Sequence, residues 1–172
     1  MSEFHPFDVL NPAVFEGQLL FTPCPATKGT SLMAAVSTLK LAGASGIITL
    51  MADAELSENG AAELGQVCQQ MGLEWYQLPV ADDAAPAADF QAAWQQHSAE
   101  ILQRLSTGET LAIHCKGGSG RTGLIAAQIM LAAGGQLQDS IDAVQAIRPR
   151  ALQHPAHVAY LNQIAVHQGA SS

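Results

Sequence analysis

The chain predicts an α/β fold: a central, mostly parallel sheet of four to five strands flanked by helices, with a helical C-terminal part. Three observations carry this expectation. Short apolar runs alternate with longer segments of helical period as far as residue 115, the period beyond it is wholly helical, and no repeat or Pro/Ser-rich linker divides the 172 residues. With 48 % hydrophobic and 13 % charged residues, the chain has the length and apolar content for one real core, so 1–172 reads as a single domain.

Taken in order, Leu19–Thr22 is the first strand, brief and apolar and followed by a Pro-containing turn. Ser31–Leu41 has helical spacing, Gly46–Leu50 is a second apolar strand, and Glu55–Met71 reads as one long helix. Leu73–Leu78 is the third strand. Ala88–Leu105 opens after Pro86 and closes before Gly108, with Phe90, Trp94, Ile101, Leu102 and Leu105 near one helical face. Thr110–Cys115 is the fourth strand, and helices follow over Thr122–Ala133, Leu137–Ile147 and roughly Pro155–His167. Such a tail is expected to cover one face of the sheet, and ligand sites in these sheets lie beyond the carboxyl ends of the strands.

Charge and composition exclude several functions. Lys+Arg 7 against Asp+Glu 15 gives a net charge of −8, which supplies no basic stripe for neutralising nucleic-acid phosphates. The most apolar stretch, Leu124–Ala133, contains Gln128 and falls short of the roughly 18 residues that span a bilayer. MSEFHPFDVLNP has neither the positive start nor the apolar region of a secretory signal, so the expected setting is the cytoplasm, with no membrane partner and a monomeric chain. Cys24, Cys68 and Cys115 are odd in number and irregularly spaced, which suits neither a disulfide framework nor a zinc site; Cys24 and Cys68 read as small core residues. No metal or other cofactor is expected.

The most informative segment joins the fourth strand to the following helix. In His114-Cys115-Lys116-Gly117-Gly118-Ser119-Gly120-Arg121-Thr122-Gly123, five residues separate the cysteine from the arginine and three of those are glycine. Glycines allow successive backbone N–H groups to turn inward as an anion nest, and the helix start adds its positive end. Arg121 is suited to close the ring with two parallel bonds to phosphate oxygens, while Cys115 carries a thiol in a field that favours its nucleophilic, ionised form. A buried strand-end cysteine is ordinarily inert, but the whole combination at one strand-to-helix junction argues against coincidence. A Walker nucleotide loop fails, since Cys stands at 115 where Gly is needed and Arg at 121 where Lys is needed.

His114 to Gly123 resembles the HCx5R(S/T)G signature of the cysteine-dependent protein tyrosine phosphatase superfamily. Cys24-Pro25, Gly46-Ile47, Glu55-Leu56, Gly72-Leu73 and Leu78-Pro79-Val80-Ala81-Asp82 resemble its compact dual-specificity subgroup, which includes the cyclin-dependent-kinase-associated phosphatase and bacterial relatives. The stacking-tyrosine loop of the larger tyrosine phosphatases has no counterpart. The resemblance implies a single phosphatase domain acting on phosphotyrosine, and also on phosphoserine or phosphothreonine, through a phosphocysteine on Cys115. Arg121 and the loop residues Lys116, Gly117, Gly118, Ser119 and Gly120 would then hold the phosphate.

By the same resemblance Asp82, of the neighbouring pair Asp82 and Asp83 between Pro79 and Pro86, is the general acid. Thr122 stabilises the departing thiolate, His114 orients the loop, and Gln153 in Arg148-Pro149-Arg150-Ala151-Leu152-Gln153 places the hydrolytic water; His157 stands where many relatives have a second glutamine. Glu55, at a position where relatives brace the arginine, reads more simply as an exposed first-turn helix glutamate. Lys116, Arg121, Arg148 and Arg150 concentrate in two segments and suggest a local basic site in an acidic molecule. Two alternatives keep the same loop: turnover of a small-molecule or lipid phosphate ester, and a phosphate-binding module without turnover.

Overall fold

Residues of opposite parity on the central strands enter two different cores, and this alternation builds the molecule. The computed structural model describes residues 4–171. Its elements are β1 (Asp8–Leu10), β2 (Gln18–Thr22), α1 (Leu32–Leu41), β3 (Ala44–Thr49), α2 (Asp53–Glu58), α3 (Leu64–Gln70), β4 (Glu74–Gln77), α4 (Ala88–Ser106), β5 (Thr110–His114), α5 (Gly120–Ala132), α6 (Leu137–Ile147) and α7 (Pro155–Ser171). Leu19, Phe21, Ile48, Leu111 and Ile113 point to one face, where α4, α5, α6 and α7 pack; Leu20, Ile47 and Ala112 point to the other, beneath α1 and α3.

The five-stranded sheet runs β1-β2-β5-β3-β4, parallel except for the antiparallel edge strand β1. The expected mostly parallel sheet with a helical layer over one face is what forms. β5 lies at the centre, Leu111 to His114 are fully buried, and the strand's carboxyl end delivers residue 115 to the sheet edge. Helix α5 continues inward from there, and every residue from Arg121 to Leu131 is buried. The apolar stretch Leu124–Ala133 is therefore core as far as Leu131, and no helix among the described residues is long and apolar enough to cross a membrane.

Two expectations are corrected. β1 has no counterpart in the sequence reading, because a three-residue strand, DVL, with two exposed positions has no period to detect. The expected single helix over Glu55–Met71 is two helices: Asn59 caps α2, its side-chain amide donates to the Glu55 carbonyl at 2.8 Å, and Gly60 follows with φ 74°. Ser31 acts as the N-cap of α1 and accepts from the Ala34 amide at 3.1 Å.

Candidate active site

The 115–121 loop is shaped by what happens to its carbonyl groups. The carbonyl of His114 accepts from the Leu50 amide at 3.0 Å, that of Lys116 from the Cys24 amide at 2.9 Å, and that of Ser119 from the Gly123 amide at 2.7 Å. The Cys115 carbonyl accepts from the His114 ring at 3.0 Å and the Gly118 carbonyl from Arg148 Nε at 2.9 Å. With the carbonyls of Cys115, Lys116, Gly118 and Ser119 committed to the surrounding structure, what the loop has to offer an anion is its amide N–H groups, at the amino end of α5. Gly118 is the position where glycine is obligatory: φ is 79°, and a Cβ there would lie 2.6 Å from the Thr22 carbonyl carbon.

Arg121 is 2 % exposed and almost fully engaged. Nη1 donates to Glu55 Oε1 at 2.7 Å and to the Val80 carbonyl at 2.9 Å, and Nη2 donates to Glu55 Oε2 at 2.8 Å. Glu55 thus takes the Nη1/Nη2 edge of the guanidinium in a bidentate pair, which leaves the Nε/Nη2 edge as the fork for an anion. Asp82 Oδ1 lies 3.6 Å from Nε. Burial opposes the charge on Arg121, but Glu55, Cys115 and Asp82 together outweigh it and raise its pKa. The reading of Glu55 as an exposed helix glutamate is corrected here: while Asp53 and Ala54 beside it face solvent, the Glu55 side chain is partly buried and its carboxylate is committed to the arginine.

Cys115 is 3 % exposed, and the Thr122 hydroxyl donates to its Sγ at 3.2 Å from the first turn of α5. His114 is fully buried, and burial pushes its pKa down to about 4. Its tautomer follows from its partners. A carbonyl only accepts, so Nδ1 carries the proton toward Cys115, and Nε2 accepts from the Thr49 hydroxyl at 2.8 Å, while Thr49 in turn accepts from Trp75 Nε1 at 2.7 Å. The Trp75–Thr49–His114 chain, from β4 through β3 to β5, holds the loop from beneath.

A cleft of about 430 Å³ gathers Asp82, Cys115, Lys116, Gly117, Ser119, Gly120 and Arg121 with Thr27 and Lys28. Most of the expected site residues therefore meet in one place, although they come from separated segments. Three do not. Gly118 is buried against Thr22 and Pro23 behind the loop. Gln153 is exposed and donates to the Pro149 carbonyl at 3.1 Å, away from the cleft. Arg148 and Arg150 line a neighbouring hollow with Ser119, and Arg148 is occupied with the Gly118 carbonyl and with Asp8 at 2.7 Å; it braces the loop from behind. Thr27 and Lys28 escaped the sequence reading, because a β2–α1 turn carries no spacing relative to residue 115. Cys24 and Cys68 are buried and free, and burial pushes both thiols up to about 12.

Comparisons with known proteins bear on the family and the fold. Residues 26–135 match the family model described as "Tc-R-P: Polymorphic toxin system, DSP-PTPase phosphatase". The chain is 33 % identical over 113 residues to cyclin-dependent kinase inhibitor 3 of Rattus norvegicus, a match covering 63 % of this chain and 48 % of that protein, so the chain spans about half of that relative's length. Among solved structures, a kinase associated phosphatase with its catalytic-site cysteine replaced by serine superposes with a TM-score of 0.85 at 23 % identity, covering 96 % of this chain and 97 % of the other. Human DUSP28 superposes with a TM-score of 0.66 at 18 % identity over 95 % of each chain. At these identities the structural likenesses speak to the fold.

Proposed function

This chain belongs to the DSP-PTPase family of phosphatases, and from that premise we propose that it hydrolyses phosphate monoesters on protein side chains, phosphotyrosine with phosphoserine or phosphothreonine, through a phosphocysteine. The observation that carries the reading is the meeting of Cys115, Asp82 and the Nε/Nη2 edge of Arg121 in one cleft. Residues 1–172 work in it as a single phosphatase domain.

In the proposed reaction the Cys115 thiolate attacks phosphorus in line with the ester oxygen. The Nε/Nη2 edge of Arg121 and the loop amides hold the equatorial oxygens; such fixed donors supply the largest share of catalysis. As the phosphorus–oxygen bond breaks, Asp82 passes its proton to the leaving oxygen, which general acids reward by about 10²- to 10⁴-fold. Water then attacks the phosphocysteine, Asp82 takes its proton, and the sulfur leaves as a thiolate that receives the Thr122 hydrogen bond. Supporting this assignment, Asp82 is 69 % exposed on the lip of the cleft, where a leaving group would depart.

An aryl phosphate assay tests the proposal. Cys115→Ser is expected to abolish turnover, Asp82→Asn to lower kcat by roughly 10²-fold, and a chelator to leave the rate unchanged. Turnover that survives Cys115→Ser ends the assignment. A second reading, the same chemistry on a small or lipid phosphate ester, is favoured by the cleft walls. No aromatic or aliphatic side chain grips an aryl ring there, and among the described residues no carboxylate pairs with Lys28 or Lys116. Turnover of a phosphotyrosine peptide slower than that of such an ester decides for the second reading.

A further inference from the structure

We propose that His157 is the positioning residue for the general acid, clamping the Asp82 loop to helix α7; this rests on the reading of Asp82 as the acid. Between β4 and α4 the chain runs Pro79-Val80-Ala81-Asp82-Asp83-Ala84-Ala85-Pro86-Ala87 without regular structure, and Asp83 sits in the left-handed region at φ 58°. An acid carried on such a segment needs outside support to hold its place.

That support comes from two sides. Two residues before Asp82, the Val80 carbonyl accepts from Arg121 Nη1 at 2.9 Å; two residues after it, the Ala84 carbonyl is met by His157 Nε2 at 3.1 Å. On the near side the Val80 amide also donates to the Leu50 carbonyl at 3.1 Å, and Asp82 Oδ1 itself lies 3.6 Å from Arg121 Nε; the other bonds within the loop are local, Asp83 N–H to Asp82 Oδ1 at 3.1 Å and Ala84 N–H to the Ala81 carbonyl at 3.3 Å. The His157 bond is thus the tether on the far side of the acid, as Arg121 is on the near side.

His157 suits this task. It is 4 % exposed, and its ring lies 5.0 Å from that of His154. Because the Ala84 carbonyl only accepts, Nε2 is the protonated nitrogen. Burial lowers the pKa of His157, outweighing the Ala84 bond and the carboxylates of Asp83 and Asp82, with His154 acting in the same direction as burial, so the neutral donor tautomer is the favoured form. The helix beneath is firm: Tyr160 of α7 donates to Gln128 of α5 at 2.8 Å and accepts from Gln91 of α4 at 3.0 Å. The Arg121 and His157 tethers therefore both lead to α5, one at its start and the other through α7, while the Val80–Leu50 bond joins the near side to the end of β3; His157 is the hold on the far side that sets where Asp82 stands relative to the phosphate fork.

The test separates proton donation from general integrity. Full-length wild type, Asp82→Asn, His157→Ala and His157→Gln are compared on phenyl phosphate, whose leaving oxygen needs a proton, and on dinitrophenyl phosphate, which leaves as the anion. For His157→Ala the ratio of kcat/KM on dinitrophenyl phosphate to kcat/KM on phenyl phosphate, which reports the leaving-group step before the shared phosphocysteine, is expected to rise about tenfold, and His157→Gln, which keeps an N–H donor, to restore most of the wild-type ratio. Should the alanine variant not fold, His157→Leu takes its place. An unchanged ratio in the alanine or leucine variant, beside a raised ratio in Asp82→Asn, overturns the clamp and leaves the acid assignment standing. An unchanged ratio in Asp82→Asn overturns the acid assignment and the clamp with it.

Discussion

At Arg121 a single guanidinium is divided between structure and chemistry: one edge belongs to Glu55 and the Val80 carbonyl, the other to the cleft. Removing a partner from a buried ion pair leaves an uncompensated charge, which is costlier than the pair's net worth. Glu55 is 24 % exposed, so solvent softens that cost. Glu55→Gln is expected to lower stability by about 1–2 kcal/mol and kcat/KM on an aryl phosphate roughly tenfold. Urea unfolding and steady-state kinetics check both, and an unfolding midpoint equal to wild type would refute the bracing role. At this scale the sequence was most legible along one contiguous stretch: Cys115, Arg121, Thr122 and His114 are neighbours in the chain, so their spacing alone encodes the loop. Glu55 lies 66 residues from Arg121, and no local pattern distinguishes a glutamate that turns inward from one that faces water.

Among the elements, α5 ties the site to the core. It begins with the anion loop and is buried from Arg121 to Leu131, so its amino end is held by the packing of its whole length. Gly123 allows α6 and the 148–152 turn to approach closely: a Cβ there would lie 2.9 Å from both Ala151 Cβ and Val144 Cγ1. Gly123→Ala is expected to cost about 1–3 kcal/mol through overpacking, despite alanine's better helix propensity. Thermal unfolding measures this, and a stabilised variant would show that α6 yields without strain. The periodic elements were readable in the sequence because burial on one face imposes its period on the side chains. The break in Glu55–Met71 was not, since Leu56, Leu64, Val67 and Cys68 keep a nearly helical apolar rhythm across it while Asn59 and Gly60 reverse the backbone.

For the whole molecule, acidity and buried histidines set the response to pH. His114 titrates at about 4 in the fold against 6.5 for a free side chain. Between those values the unfolded chain binds a proton that the folded chain does not, so stability rises with pH through this window and is lost as pH falls across it. The loss attributable to His114 is on the order of 3 kcal/mol. Burial also lowers the pKa values of His5 and His157, which act in the same sense. Nuclear magnetic resonance of the His114 ring is expected to show the neutral form down to about pH 5; a titration midpoint above about 6 would refute its burial as the cause.

By itself the sequence determined the alternating strands, the helical tail and the cysteine-to-arginine loop with its glycines, because each depends on interactions between residues close in the chain. Tertiary structure alone decided that Glu55 takes the outer edge of Arg121, that Lys28 joins the cleft, that Gln153 and Arg148 stay out of it, and that His157 reaches the loop of Asp82. The physical reason is that hydrogen bonds and ion pairs act over a few ångströms of space, whereas the residues they join here are separated by tens of positions that only the packing of sheet and helices brings together.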